Sequence, residues 1–282
     1  VSSKGKGKGK SKSKKKGVTM IITRPLSKHG IDHRLVKLGR LPYRHDRRNL
    51  QLVKYLPRAL PAAPDAYDWL SKASPFGPMG NLSVGDCTCA GAGHLIQMWT
   101  ANQGRKTVLP DADILAVYSK LSGYVPGNPG TDVGLSLAEV LKFWQGTGID
   151  GHKIGAYVQV DLNLKMMALA CYLFGGLYCG VALPKTAQNQ EKWQVTDPNL
   201  QGDAAPGSWG GHCADMGAFD PLGAIFVTWG EEQYASEEFI SAYFDEAWAI
   251  ISQDFLDGKA DNPLGIDLAT LKADLAVVQS EQ

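Results

Sequence analysis

A thiol and an imidazole have the strongest claim to chemistry in this 282-residue chain. Cys87 follows Gly85 and Asp86 and opens a stretch in which Ala90, Gly91, Leu95, Met98 and Trp99 recur at three-to-four spacing. That spacing predicts a helix over 87–102, with Asp86 as N-cap and Cys87 in the first turn. A thiol is a useful nucleophile only as thiolate, and a helix start offers oriented N–H groups and a positive dipole end that favour the anion. The competing reading of Cys87 is an inert small hydrophobe. His212, 125 residues on, follows Trp209-Gly210-Gly211 and opens a predicted strand. The two glycines let the backbone approach closely and the ring project from a rim, as a general base requires; the competing reading is a structural histidine. His94 lies two helical turns beyond Cys87, roughly 10 Å of rise, too far for a direct hydrogen bond, and reads as core or surface. Cys89, about 200° around the helix from Cys87, reads as core.

The elements that must position this pair follow from periodicity. Further helices are predicted over 111–121, 136–146 and 164–174, the second carrying a Leu137, Val140, Leu141 and Trp144 stripe. Past Gly176 the character changes to strands: Leu177 to Leu183, Trp193 to Thr196, His212 to Phe219, and Ala224 to Trp229. Asp220-Pro221-Leu222-Gly223 is a turn that pairs the last two as a hairpin. Ser236 before Glu237 and Glu238 is expected to cap an amphipathic helix carrying Phe239, Tyr243, Ala247 and Ile250. Helices first and strands after define an α+β class with segregated lobes.

The formal charge of +1 conceals an asymmetry: residues 1–17 carry eight lysines, leaving 21 basic against 28 acidic residues in 18–282, a body of about −7. Residues 1–17 contain only Lys, Gly and Ser after Val1 and are expected to be a disordered tail. Two readings of the tail stand. One is a solubilising extension; the other is non-specific nucleic-acid binding by phosphate neutralisation, or docking on an acidic protein surface. Residues 18–59 remain basic, broken by Pro25 and Pro42, and read as an extended arm that wraps the domain. The main domain is placed at 60–255, and 256–282 is expected to be a C-terminal extension with a short acidic helix. Five cysteines, an odd number, argue against a disulfide framework. Cys87 and Cys89 are too close for a zinc pair and no second pair completes one, so no metal or organic cofactor is expected. The most apolar stretch, 166–183, is interrupted by glycines and is too short for a membrane span. No apolar region with a cleavage site follows the basic start, so a cytoplasmic or virion-associated protein without a membrane partner is expected.

With these residues in place, the chain resembles the papain-like cysteine peptidases. Tyr67-Asp68-Trp69 resembles the Val-Asp-Trp of the mature start, and the 18 residues from Trp69 to Cys87 match the family interval. Asn81 stands six before Cys87, where the family keeps its oxyanion glutamine. Gly211-His212-Cys213-Ala214 resembles the segment around the family's histidine, and Thr228-Trp229-Gly230 its Ser-Trp-Gly. Gly39-Arg40-Leu41-Pro42 and Asp46-Arg47-Arg48-Asn49 resemble the pre-catalytic segment of bacterial and phage members, which implies an arm rather than a removable inhibitor. Three departures stand out. Thr88 replaces the aromatic residue beside the nucleophile, and the partner cysteine of a family disulfide is missing. Asn81 is one methylene shorter than glutamine. The family's orienting asparagine falls at Val227, which can neither donate nor accept. Thr228 could substitute if a bulge shifts its strand, since neighbouring residues otherwise face opposite sides. Asp215, on the other face, and Asp220, in the turn, are weaker candidates.

The resemblance implies a two-lobe fold, a helical lobe followed by an antiparallel β lobe, and a Cys87–His212 hydrolase acting on peptide or protein substrates. Asn81 and the Cys87 N–H would then hold the oxyanion, Thr228 would orient the histidine, and Trp229 would shield it. Two other functions compete. One is a catalytically weakened papain-fold protein serving as a structural or binding component, such as a virion protein. The other is a peptidoglycan hydrolase of the CHAP or NlpC/P60 type, which also uses Cys before His.

Overall fold

In the computed structural model, residues 21–56, 63–252 and six helical positions between 269 and 277 are described. The expected tail and both expected domain boundaries lie outside these residues.

Helix α1 (Cys87–Asn102) is buried along nearly its whole length. Its run Ala90-Gly91-Ala92-Gly93 explains how: a Cβ on Gly91 would stand 2.8 Å from Cys213 Sγ, and one on Gly93 would stand 2.5 Å from Met79 Sδ. Glycine costs a helix up to about 1 kcal/mol relative to alanine, and here it is exchanged for close approach to a neighbouring strand. Around α1 pack α2 (Asp111–Ser122) and α3 (Leu137–Gly146). A Ser136–Glu139 capping box starts α3 and fixes its Leu137, Val140, Leu141 and Trp144 stripe inward. Helix α4 (Leu164–Phe174) ends on Gly175 in the left-handed region, φ 74°, the usual helix stop.

The sheet has eight strands. They are β1 (Tyr67–Asp68), β2 (Ile154–Gln159), β3 (Leu177–Leu183), β4 (Lys192–Trp193), β5 (Gly210–Asp220), β6 (Gly223–Thr228), β7 (Glu231–Ser236) and β8 (Phe244–Ser252). Their order is β2-β8-β3-β5-β6-β7-β4, with β1 paired to β5, and every pairing but β4–β7 is antiparallel. One core cluster gathers α1, α2 and α3 against one face of this sheet, and a second gathers α4 and α5 (Glu237–Tyr243) against the other. The α+β class and the predicted elements at 87–102, 164–174 and 177–183 hold to the residue or nearly so.

Two expectations are corrected. The helix capped by Ser236 stops at Tyr243, and Ala247 and Ile250 belong to β8. Strand β8 lies between β2 and β3 with both faces covered, so its apolar residues do not alternate and their spacing mimics a helix. The strand expected at 193–196 is the two-residue β4.

Candidate active site

The register of one hairpin brings His212 and Thr228 together. From the turn, Asp220 pairs with Gly223, Phe219 with Ala224 and Ala218 with Ile225. Gly217 is then skipped, so Met216 pairs with Phe226 and Asp215 with Val227. Regular pairing would have set Val227 opposite Met216, on the face that Met216 shares with His212. The bulge turns Val227 to the other face and Thr228 onto that of His212. Gly217 is needed there, because a Cβ would stand 2.2 Å from Leu70 Cδ2. The result is a 2.5 Å hydrogen bond between His212 Nε2 and Thr228 Oγ1, both residues being buried.

Trp229 covers this pair. With Gly230 it forms the two-residue loop between β6 and β7, both residues at positive φ, 51° and 80°. That is the signature of a type I′ turn, which tryptophan enters only against steric resistance of roughly 1–3 kcal/mol. What offsets it is ring packing: Trp229 stacks on His212 with centroids 4.2 Å apart and planes 17° apart, and also on Trp209. Burial, first, and then the positive charge of Arg40 push the imidazole pKa well below its ordinary value. His212 is therefore neutral in this state. Its Nδ1 is buried without a hydrogen-bond partner among the described residues.

Cys87, at the first turn of α1, lies against the segment that carries His212: backbone hydrogen bonding by Cys213 and by Gly39 pulls its thiol pKa down. Burial outweighs both and pushes it up to about 12. In this closed state burial holds both the thiol and the imidazole in their neutral forms. Asp86, buried at the helix start, makes no capping hydrogen bond, contrary to expectation. Burial raises its carboxyl to about 8, against the pull of the Asn81 amide. Asn81 donates from Nδ2 to the Val84 carbonyl at 3.1 Å, so its amide serves the loop before α1. His94 and Asp215 are core: His94 Nε2 meets the Gly77 carbonyl at 2.8 Å, and its Nδ1 stands 3.7 Å from Asp215 Oδ2. All five cysteines are buried free thiols. Among the described residues no cluster of His, Cys, Asp and Glu could hold a metal, and no helix is long and apolar enough to cross a membrane.

The arm departs most from expectation. Rather than only wrapping the domain, residues 37–41 run between the backbone just before α1 and the start of β5. Arg40 N–H donates to the Gly211 carbonyl at 3.1 Å, Leu41 N–H to the Leu135 carbonyl at 3.0 Å, and Leu135 N–H to the Gly39 carbonyl at 2.9 Å. Gly39 presses so closely on Gly85 that a Cβ would stand 1.7 Å from its carbonyl oxygen. Trp229 Nε1 donates to the Lys37 carbonyl. Upstream, Arg24 pairs with Asp68 and Glu232, while Lys28, the His29 amide and His33 gather on Glu231. The one signal for this path in the amino-acid sequence is the small residues Gly39, Gly85 and Gly211, each a place where backbones can touch.

A two-sided sheet fold with a central helix, a thiol at that helix's start and a histidine on the facing strand define the papain-like cysteine-protease fold. Xylellain, a cysteine protease from Xylella fastidiosa, is similar at TM-score 0.57 and 13% identity, over 83% of this chain and 99% of that one. Weaker likenesses are to a mite allergen structure concerning Blo t 1 and Der p 1 (TM-score 0.48, 11% identity, 70% and 74% of the two chains) and to procathepsin L 3 of Tenebrio molitor larval midgut (TM-score 0.46, 14% identity, 77% and 75%). No family model and no curated protein matches the sequence.

Proposed function

We propose that this chain is a cysteine peptidase of the bacterial or phage kind, held closed by its own N-terminal arm. The observation that carries this reading is the His212–Thr228 hydrogen bond, which ties up one ring nitrogen and leaves Nδ1 free in the segment whose backbone meets the Cys87 thiol. Thr228 thus does the work of an orienting amide. Once the arm lifts, His212 takes the thiol proton and Cys87 Sγ attacks a peptide carbonyl. The tetrahedral oxyanion is held by the Cys87 N–H, one of those a first helical turn leaves without an intrahelical partner. Asn81 joins it if its amide turns from Val84. Collapse breaks the C–N bond, His212 protonates the leaving amine, and water then hydrolyses the thioester.

The test uses the full chain and a Gly39→Ala variant whose added methyl cannot fit beneath the Gly85 carbonyl. Iodoacetamide or an E-64-type epoxide should modify Cys87 slowly in the native protein and at least tenfold faster in the variant, with peptide turnover appearing alongside and Cys87→Ala abolishing both. No modification and no turnover in either would defeat the reading. A second reading, a papain-fold binding component without turnover, is favoured by the complete burial of Cys87; modification without hydrolysis of any peptide library would support it. Digestion of purified peptidoglycan distinguishes a cell-wall hydrolase.

A further inference from the structure

Helix α1 carries the thiol at its first position and begins without a side-chain cap. Capping side chains work from extended backbone, and Asp86 stands at φ −95° and ψ 17°, outside that region. The chain just before the helix is fixed instead by a carboxylate from a distant loop. Asp132, in the loop after α2, accepts from the Gly85 N–H through both oxygens, Oδ1 at 3.1 Å and Oδ2 at 3.0 Å. Gly85 lies two residues before Cys87, and a Cβ on it would stand 2.8 Å from Asp132 Oδ1, so a side chain there would push the carboxylate away.

Tyr118 aims this carboxylate. It is fully buried in α2, and its hydroxyl donates to Asp132 Oδ1 at 2.6 Å while accepting from the Gly134 N–H at 2.9 Å. Gly134 adjoins Leu135, whose N–H donates to the Gly39 carbonyl and whose carbonyl accepts from the Leu41 N–H. A continuous chain of hydrogen bonds, from Gly134 through Tyr118 and Asp132 to Gly85, therefore ties the segment that holds the arm's backbone to the residues just ahead of the thiol. Hydrogen bonds to an ionised acceptor are about twice as strong as neutral ones, which suits a carboxylate to this place. Neither side chain touches a reacting atom in the proposed mechanism. Their effect is geometric: Cys87 supplies both the sulfur and the oxyanion-binding N–H, so a swing of the Gly85–Asp86 peptide displaces both at once. A misplacement of about 1 Å can cost on the order of a hundredfold in rate.

Resting on the peptidase reading, we infer that Asp132 and Tyr118 are positioning residues for this reaction, clasping the Gly85 amide so that the Cys87 sulfur and N–H keep a fixed place relative to Gly134 and Leu135. The clasp does for the start of α1 what Asp86 does not.

The experiment compares Asp132→Asn, Asp132→Leu and Tyr118→Phe, each in full-length Gly39→Ala. Asparagine keeps an oxygen for the Gly85 N–H; leucine keeps the branched shape and offers none. In peptide hydrolysis Asp132→Leu should lower kcat by roughly thirtyfold to a hundredfold with KM nearly unchanged, Tyr118→Phe by about tenfold, and Asp132→Asn should rescue most of the loss. The second readout, the pH dependence of Cys87 alkylation by iodoacetamide, needs no turnover. Asp86 and Arg40, the charges that face Cys87, are untouched by these substitutions. Losing the Asp132 charge alone would move the curve to lower pH in the asparagine and leucine variants alike. Losing the clasp moves it the other way, by about one pH unit in Asp132→Leu and less in Tyr118→Phe, because the sulfur drifts from the helix start that favours its anion. Should Asp132→Leu fail to fold, Tyr118→Phe carries the same comparison. A loss of urea stability with kcat and the alkylation curve unchanged, or the same curve for Asp132→Asn and Asp132→Leu, overturns the clasp. An upward shift in Asp132→Leu but not in Asp132→Asn, in a protein that hydrolyses no peptide, upholds the clasp and sinks the peptidase reading instead.

Discussion

Replacing Thr228 by valine probes the one polar contact that orients His212. Valine has nearly the shape of threonine, so no cavity opens and the ring stays pinned by Trp229, stacked at 4.2 Å. What changes is Nε2: it sits within 2.5 Å of Oγ1 in a fully buried position and loses its partner. An orphaned buried polar atom costs about 1–3 kcal/mol, against about 0.5–1.5 kcal/mol for a typical hydrogen bond made. Urea unfolding should therefore show a lower midpoint at unchanged slope, equivalent to about 1–3 kcal/mol, with Thr228→Ser close to the native protein. With the ring nitrogens no longer distinguished, the tautomer with Nδ1 free is no longer enforced. On a Gly39→Ala background, Cys87 alkylation should slow by roughly tenfold to a hundredfold, about the same energy read as a rate. A Thr228→Val protein as stable and as reactive as its parent would refute this account of the site.

Three further outcomes follow from titratable groups and charge. Asp86 holds its proton up to about pH 8 in the fold, while an unfolded carboxyl releases it near pH 4. The native state thus binds more protons through that window, and stability falls as pH rises from about 4 to about 8. Asp86→Asn should remove that slope, by at most about 4 kcal/mol over three pH units, and an unchanged difference between stabilities at pH 5 and pH 8 would count against the burial argument. Glu231 is opposite in sign: burial raises its pKa, but His33, the His29 amide and Lys28 prevail and lower it to about 2. Its anchoring of the arm is complete above about pH 4.5 and lost as pH falls through about 2. Pepsin should cut within residues 28–41 increasingly over that range, with Glu231→Gln cut throughout, and equal resistance of the two proteins would contradict the anchor. Finally, the eight lysines of residues 1–17 should give salt-sensitive binding to DNA or RNA that vanishes in a protein lacking them, and unchanged affinity in that protein would exclude the tail.

Much of this was legible because local rules and packing agree. Ser136 and Glu139 announce a capped start and the helix begins there. Leu164 to Phe174 is bounded by Asn163 and Gly175, and the helix keeps those limits. Thr228 was readable only as a condition, because its facing depends on a bulge at Gly217 whose cause is a contact with Leu70, 147 positions away in the chain. Strand β8 was hidden for another reason: a strand covered on both faces loses the alternation that marks it. Strand β2, unpredicted, is likewise mostly buried. The path of residues 39–41 could not be read because their backbone contacts to Gly85, Leu135 and Gly211 leave no side-chain pattern.

The pairing of thiol and imidazole is most directly measured as the pH dependence of Cys87 alkylation in Gly39→Ala, with and without His212→Ala. With the arm displaced and His212 present, the rate should reach a plateau well below the ordinary thiol range, because the imidazole stabilises the thiolate. Replacing His212 should return the curve to that of an unassisted buried thiol. Identical curves in the two proteins, both rising only above pH 9, would contradict the central claim.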